Sequence, residues 1–394
     1  MRRVFLIVLD SLGIGHAPDA AAFGDAGAHT LYAAWKSGAL KIPNLEKLGL
    51  SLAPGAEFLE APPSPLASVG ALIECSAGKD TTTGHWELAG LLSHEPMPTF
   101  PKGFPEELVD ALRRECGLDF LCNLPYSGTD VIRDFGEEHM RTGRPILYTS
   151  ADSVLQIAAH TDVIPLPKLY ELCRTARRLC TGEYAVGRVI ARPFVGSAGA
   201  FRRTLDRRDF SIEPHGETLL DRLSGEGLSV IAVGKISDIF AGRGITESYP
   251  DHGNAACMER TAELARRDFH GLCFVNLVDF DTLYGHRNDA RGYALALNEF
   301  DAFLGGLLPM LGEDDALLIT ADHGCDPSDQ STDHTRERVP LLLYGKRLPT
   351  RLLGVQTGFA TVAQTVADLL GVRVAYAEAS ALDGGFYTEG EKTL

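Results

Sequence analysis

At 394 residues the chain exceeds the length at which single cores stop growing, so two domains are expected. Its 45% apolar and 23% charged residues are those of an ordinary soluble globular protein and exclude a disordered or fibrous chain. A net charge of -16 argues against a binder of nucleic-acid backbones, although a small phosphorylated substrate needs only a local cationic pocket.

Residues 4–9 form a continuous apolar run, the pattern of a strand buried on both faces of a parallel sheet, and end at Asp10-Ser11-Leu12-Gly13-Ile14-Gly15. A second apolar run, 66–75, leads to Gly78-Lys79-Asp80-Thr81-Thr82-Thr83-Gly84-His85-Trp86-Glu87. A strand feeding a hydroxyl-rich turn, with Gly84 where the backbone must be permissive, suits an exposed nucleophile. If a helix begins here, one Thr is its N-cap and the N–H groups of the first turn face an anion. The plainer reading is a capping Thr-rich turn and nothing more. Thr is a weak nucleophile near neutral pH, so metal ions or a base must activate it.

The Pro-rich stretch 95–101 opens a region of different character that runs to Pro214-His215-Gly216. It has its own helices (106–116, 168–179), its own strands (145–148, 185–191) and the densest positive charge, at Arg188, Arg192, Arg202, Arg203, Arg207 and Arg208. We expect a cap domain, 97–215, inserted into a core made of 1–96 and 216–394. Beyond it the first pattern resumes. Apolar runs at 229–233, 272–277, 316–320 and 339–344 alternate with helical segments at 217–223, 257–267, 293–310 and 361–370. This is the pattern of an α/β, doubly wound sheet, whose ligands bind beyond the C-terminal strand ends.

Three clusters with ligand chemistry follow such strands. Asp281 and His286 lie five residues apart in a loop, Asp322-His323 closes another strand with His334 eleven residues on, and Asp10 closes the first. Three Asp and three His exceed the usual protein ligands of one ion, so two divalent ions are expected. Two such ions, roughly 4 Å apart, clamp the attacking and leaving oxygens of a phosphoryl displacement, and one can lower the pKa of a bound Thr hydroxyl. Carboxylate and imidazole without thiolate suit Mn²⁺ or Zn²⁺.

The eight cysteines form no CxxC pair and are too sparse for a disulfide scaffold, which implies a reducing compartment. Cys75 and Cys273, in apolar runs, read as small buried hydrophobes. The apolar run after Arg2 and Arg3 is too short for a signal peptide, and none approaches the roughly 18–20 residues that span a bilayer. A cytoplasmic protein with neither membrane nor nucleic-acid partner is expected.

The stretches 8–15, 78–87, 148–153, 187–193, 234–238, 276–287 and 320–337 together resemble the bacterial phosphopentomutases, of the alkaline-phosphatase-like metalloenzyme superfamily. They span almost the whole chain, cap included. The resemblance implies an alkaline-phosphatase-like core sheet with an inserted α+β cap. It also implies that Thr81, among the three adjacent threonines, carries the phosphoryl group. One metal subsite is then Asp281, His286 and His334; the other is Asp10, Asp322 and His323, with Thr81 bridging or adjacent. The implied metal is Mn²⁺, and a sugar 1,6-bisphosphate such as glucose 1,6-bisphosphate primes the enzyme. The implied substrates are ribose 1-phosphate and ribose 5-phosphate or their 2-deoxy forms, interconverted through a phosphothreonine and a pentose 1,5-bisphosphate, while the cap keeps water out.

By the same resemblance Ser150 and Asp152, which otherwise read as turn residues, face the sugar, and Arg188, Arg203 and Lys235 hold the non-reacting phosphate. Arg202, Arg207 and Arg208 read as solvated surface, and His85 and Trp86 as packing or support. Asp279 and Asp333 are expected to orient neighbouring ligands, and Asp326 and Asp329 to be polar loop residues. A phosphatase or phosphoglycerate mutase of the same superfamily is the nearest rival. A catalytically dead sugar-phosphate-binding protein would need a damaged ligand set, which is not seen.

Overall fold

The computed structural model describes residues 1–150, 152–377 and 380–383; Ala151 of the 148–153 stretch and the end of the expected core lie outside them. In chain order the strands are β1 (Arg3–Leu9), β2 (Ser68–Ile73), β3 (Leu121–Pro125), β4 (Ile146–Thr149), β5 (Val154–His160), β6 (Arg188–Val195), β7 (Arg202–Arg203) and β8 (Arg208–Ser211). After them come β9 (Ser229–Val233), β10 (Glu247–Tyr249), β11 (Gly271–Leu277), β12 (Asp315–Thr320), β13 (Val339–Tyr344) and β14 (Leu352–Thr357). The chain divides into two compact units, Met1–Glu95 with Pro214–Leu394, and Pro96–Glu213.

The first unit is built on an eight-stranded sheet in the order β10-β9-β11-β1-β12-β13-β2-β14. Val4 to Leu9 are at most 1% exposed, as a strand with helices on both faces requires. β1 pairs in parallel with β11 on one side and β12 on the other. The run 339–344 was expected to repeat the parallel pattern, and this needs correcting: β13 is antiparallel to both β12 and β2. A parallel return needs a crossover, usually a helix, and residues 321–338 contain none, so the chain comes back in the opposite sense. What those residues hold instead are Asp322, His323 and His334.

The register of the central strands explains why distant carboxylates meet. Leu9 of β1 lies opposite Leu277 of β11, and Val8 opposite Thr320 of β12. Asp10, Asp281 and Asp322 therefore leave one edge of three adjacent strands.

The second unit is a six-stranded sheet, β3-β4-β5-β6-β7 with β8 on β6. Its β5 strand is buried on both faces and alternates accordingly. Leu155, Ile157 and Ala159 join Leu108, Leu112, Leu169 and Leu172 of the helices Glu106–Cys116 and Leu166–Leu179. Ala158 joins Val131 and Ile132 of the helix Asp130–Thr142 on the other face.

Among the described residues no helix is long and apolar enough to cross a membrane. All eight cysteines are free thiols; Cys273 is buried, but Cys75, expected to be, is exposed because β2 has ended two residues before it.

Candidate metal centre

The helix Thr81–Leu88 starts soon after β2. Its N-cap is not a Thr but Asp80, whose Oδ1 accepts the N–H groups of Thr82 (3.0 Å) and Thr83 (3.1 Å) and whose Oδ2 accepts the Thr83 hydroxyl at 2.6 Å. A carboxylate answers the positive end of the helix better than a hydroxyl, and it takes up two N–H groups that had been assigned to an anion. Thr81 is thereby the first helical residue, and its Oγ1 lies 3.2 Å from Nε2 of His323.

Gly84 also differs from expectation. Its φ is not positive; what it provides is closeness, since a Cβ there would stand 2.1 Å from the Asp322 carbonyl oxygen. Gly84→Ala must push the helix off the loop that carries Asp322 and His323. We expect it to cost about 1–3 kcal/mol of stability and to lower bound divalent metal as well. Thermal melts and elemental analysis of one preparation check this, and an unchanged melting temperature with full metal content would refute it.

Asp281 and His286 sit not in an open loop but on a short π-helical turn, Phe280–Tyr284, followed by a 3₁₀ turn, Gly285–Arg287. Hydrogen bonds from i to i+5 bring residues five apart onto one face, and such turns recur at functional sites. Asp10 is followed by Ser11 at φ 70°, a left-handed conformation costly for Ser, which its N–H repays by bonding Asp322 Oδ1 at 3.1 Å.

Three histidines are oriented alike. Nδ1 of His286 donates to the Thr332 carbonyl (2.6 Å), Nδ1 of His323 to the Gly324 carbonyl (3.0 Å) and Nδ1 of His334 to the Lys79 carbonyl (3.0 Å). Each ring thus turns Nε2 inward, the arrangement by which main-chain acceptors orient metal-ligating imidazoles. The rings stack, with centroids of His334 3.9 Å from His323 and 4.8 Å from His286.

Carboxylates complete the set. Ligand atoms of Asp281, His286 and His334 lie within 4.8 Å of one another, as do those of Asp10, Asp281 and His323. Asp281 thus belongs to both groups, and Asp322, assigned from the sequence to the second, approaches His323 Nε2 to 3.3 Å. Asp10 Oδ1, Asp281 Oδ1 and Asp322 Oδ2 are buried and accept no hydrogen bond from the described residues. Asp322 Oδ2 is 3.1 Å from His85 Nδ1, but that nitrogen has one proton and a closer acceptor, the Thr81 carbonyl at 2.8 Å.

Burial and the neighbouring Asp322 and Asp281 hold the Asp10 carboxyl well above its ordinary range. Burial raises Asp281 and Asp322 too, but the histidines outweigh it, leaving Asp281 well below the usual value and Asp322 at about 2. Burial pushes His323 down to about 4, whereas at His334 the Asp281 charge overcomes burial and raises the ring to about 9. Unpaired buried carboxylate oxygens are costly. Three of them, among three imidazole Nε2 atoms, form a donor set that fits divalent cations.

Residues 2–374 match the family model described as the Metalloenzyme superfamily. The chain is 55% identical over 374 residues to the phosphopentomutase of Acetivibrio thermocellus, covering 94% of this chain and 96% of that one. It belongs to the phosphopentomutases. Those of Carboxydothermus hydrogenoformans and Lachnoclostridium phytofermentans are 53% and 52% identical over the same shares of both chains. The chain is accordingly a mutase, an enzyme of the isomerase class, and a member of a metalloenzyme family.

Other expected positions of this phosphopentomutase divide between the units. Lys235 follows β9 at the N-cap position of the short helix Ile236–Ile239, near enough to Asp10 for its charge to lower that carboxyl's pKa. In the inserted unit Ser150 follows β4 and Asp152 is exposed. Arg188 opens β6, its guanidinium 3.9 Å from Asp152 and 3.6 Å from Asp209. Arg203, Arg202, Arg207 and Arg208 are exposed, although Arg207 pairs with Asp209 at 2.6 Å and Arg208 lies over Tyr170 and Phe210. Among the described residues the hydrogen bonds of Asp279 go to Asn254 and not to one of the expected ligands. Its carboxylate accepts the Asn254 N–H at 2.6 Å and starts the helix Asn254–Arg266. Asp333 Oδ1 accepts the N–H of His334.

Three residues of the site went unremarked in the sequence. Asn276 donates from Nδ2 to Asp10 Oδ2 at 2.8 Å and lies 3.3 Å from His85 Nε2, joining the two. One polar residue in the otherwise apolar run 272–277 was its available signal. Glu87 accepts the N–H groups of Cys75, Ser76 and Phe359. Arg336 is the third, and nothing in its sequence context marks it.

Proposed function

We propose that the chain interconverts ribose 1-phosphate and ribose 5-phosphate, or their 2-deoxy forms, with Thr81 as the phosphoryl carrier. The observation that carries this reading is the Thr81 hydroxyl, 3.2 Å from His323 Nε2 at the rim of two ligand groups that share Asp281. Of its neighbours, the Thr83 hydroxyl is committed to Asp80. Two divalent ions, Mn²⁺ by resemblance to the family, would be held by Asp281, His286 and His334 and by Asp10, Asp322 and His323, with Asp281 close enough to both sets to serve either ion, and would neutralise the transferring phosphoryl group and acidify the Thr81 hydroxyl.

In this reading a sugar 1,6-bisphosphate such as glucose 1,6-bisphosphate first phosphorylates Thr81. The substrate's free 5-hydroxyl then attacks the phosphorus. Its oxygen gains the phosphoryl group and loses its proton, and the bond to Thr81 Oγ1 breaks. The pentose 1,5-bisphosphate turns end for end, and Thr81 takes back the phosphoryl group from O1, leaving the 5-phosphate. Ser150 and Asp152 would hold sugar hydroxyls, and Arg188, Arg203 and Lys235 the phosphate that is not reacting. The intermediate must stay bound through its turn, because water attacking phospho-Thr81 would make a phosphatase.

Intact mass before and after incubation with glucose 1,6-bisphosphate, peptide mapping and phosphorus NMR of ribose 1-phosphate turnover test this together. One added phosphate on Thr81 and conversion to the 5-phosphate are expected. Release of inorganic phosphate as the main product would overturn it.

Lys235→Ala and Arg188→Ala separate mutase from phosphatase chemistry. Each lost charge-assisted contact costs about 1.5–3 kcal/mol, roughly ten- to hundredfold in kcat/KM for ribose 5-phosphate. Hydrolysis of a small aryl phosphate, which has no second anion, should survive. A parallel fall of both activities would refute the two assignments.

A further inference from the structure

The run from Glu74 to Lys79, which delivers the chain to Thr81, belongs to no strand, yet the carbonyls of Glu74, Ser76, Gly78 and Lys79 all accept side-chain hydrogen bonds. Arg336, 3% exposed, serves three of them: Nη2 donates to the Glu74 carbonyl at 2.7 Å, and Nη1 to those of Ser76 (2.9 Å) and Gly78 (2.6 Å). The same guanidinium meets the Glu74 carboxylate at 2.7 Å and Asp19 at 3.0 Å, and stacks 4.8 Å over Phe23. The next carbonyl, Lys79, accepts from His334 Nδ1, and the Lys79 ammonium and the Arg336 N–H share the carboxylate of Asp25. From the opposite direction Glu87, in the Thr81 helix itself, holds the N–H groups of Cys75 and Ser76.

The segment carrying Arg336 is itself fixed. Thr335 bridges to Gly324, beside His323, and Glu337 bridges to His16. A single short segment thus presents His334 to the metal groups and Arg336 to the loop before Thr81.

We infer that Arg336 is a positioning residue, which sets the Thr81 hydroxyl against the metal centre through the main chain of residues 74–79. The inference rests on Thr81 being the phosphoryl carrier. Five donors in a planar fork are what three carbonyls and two carboxylates on different sides require; an ammonium, with three donors on one atom, cannot reach them all. The contacts of Arg336 fall on Asp19, Phe23, Asp25, Glu74, Ser76 and Gly78 and not on the Thr81 hydroxyl, so its effect is expected on the transfer step and not on binding. A displacement of the nucleophile by about 1 Å is enough to cost on the order of a hundredfold.

The test is Arg336→Lys, measured as the single-turnover rate of Thr81 phosphorylation by glucose 1,6-bisphosphate, with KM for ribose 5-phosphate and bound Mn²⁺ per chain on the same sample. Phosphorylation and kcat should fall together by about ten- to hundredfold, with KM changed less than about threefold and metal content unchanged. A purely structural arginine predicts otherwise. Either the rate stays within about threefold of the parent, or it falls only in proportion to lost metal, and either result overturns the proposal. Should Arg336→Lys not fold, the double variant Arg336→Gln with Glu74→Gln keeps the buried site neutral and decides by the same readouts; if it too fails to fold, Arg336 is structural and the proposal falls. Mapping the phosphate in the parent protein keeps the two claims apart. Phosphate on another residue refutes the Thr81 reading, whereas phosphate on Thr81 with an unimpaired Arg336→Lys refutes only this inference.

Discussion

Thr81→Ala is expected to abolish pentose-phosphate isomerisation, by a factor on the order of 10⁴ or more, while Thr82→Ala and Thr83→Ala remain active. Removing the atom that carries the phosphoryl group removes the covalent step, and neither neighbour can take it over. The Thr83 hydroxyl donates to Asp80 at 2.6 Å, so its loss weakens the helix cap by about 1 kcal/mol and leaves Thr81 in place. Thr82 is 7% exposed, and its N–H is held by Asp80 Oδ1 at 3.0 Å. Steady-state turnover with saturating glucose 1,6-bisphosphate, and peptide mapping of the phosphorylated protein, decide the matter. Phosphate on Thr82 or Thr83, or an active Thr81→Ala, would remove Thr81 from the reaction.

The second large effect concerns the shared carboxylate. Asp281 stands in both ligand groups, whereas His286 stands in one. Asp281→Asn removes the charge that both ions would share, so it should lower bound Mn²⁺ by about two per chain and turnover by about 10³, equivalent to several kcal/mol. His286→Ala should lose about one ion per chain. Elemental analysis at limiting Mn²⁺ separates the cases, and equal losses in the two variants would show that Asp281 is not shared. His334→Ala is expected to do more than remove a ligand, because its Nδ1 also holds the Lys79 carbonyl before Thr81.

The convergence of Asp10, Asp281, Asp322 and His323 was legible because each follows an apolar run, and in a doubly wound sheet such ends share an edge. The direction of β13 was not legible. An apolar run reads the same either way, and only the missing helix in 321–338 carries the information. The helix Asp130–Thr142 was missed for a reason visible at Gly136. Glycine in a helix interior weakens the sequence signal, yet a Cβ there would stand 2.5 Å from the Phe201 ring. Arg336 was hidden more completely, since three of its partners are main-chain carbonyls, and no side-chain pattern records where a backbone turns. Asp80 does not stand out as the cap in the sequence because three hydroxyl residues, each an acceptable cap, follow it directly.

The place of β1 bears on how the molecule is made. Arg3 lies opposite Gly271 on one side and Asp315 on the other, so the earliest strand of the sheet is one of its two central ones. At ribosomal speeds of about 5–20 residues per second, its second neighbour emerges tens of seconds later. Until β11 emerges the apolar run from Val4 to Leu9 has neither of its strand neighbours and is open to association with other nascent chains. Arg2 and Arg3 border it, charges of the kind that restrain such association. The carboxylates of Asp10 and Asp281 can meet only when synthesis has passed β11, and the histidine that joins them to the Thr81 loop follows at residue 334. A metal ion at this centre would therefore find its full set of ligands only late in synthesis, a timing set by topology and not by affinity.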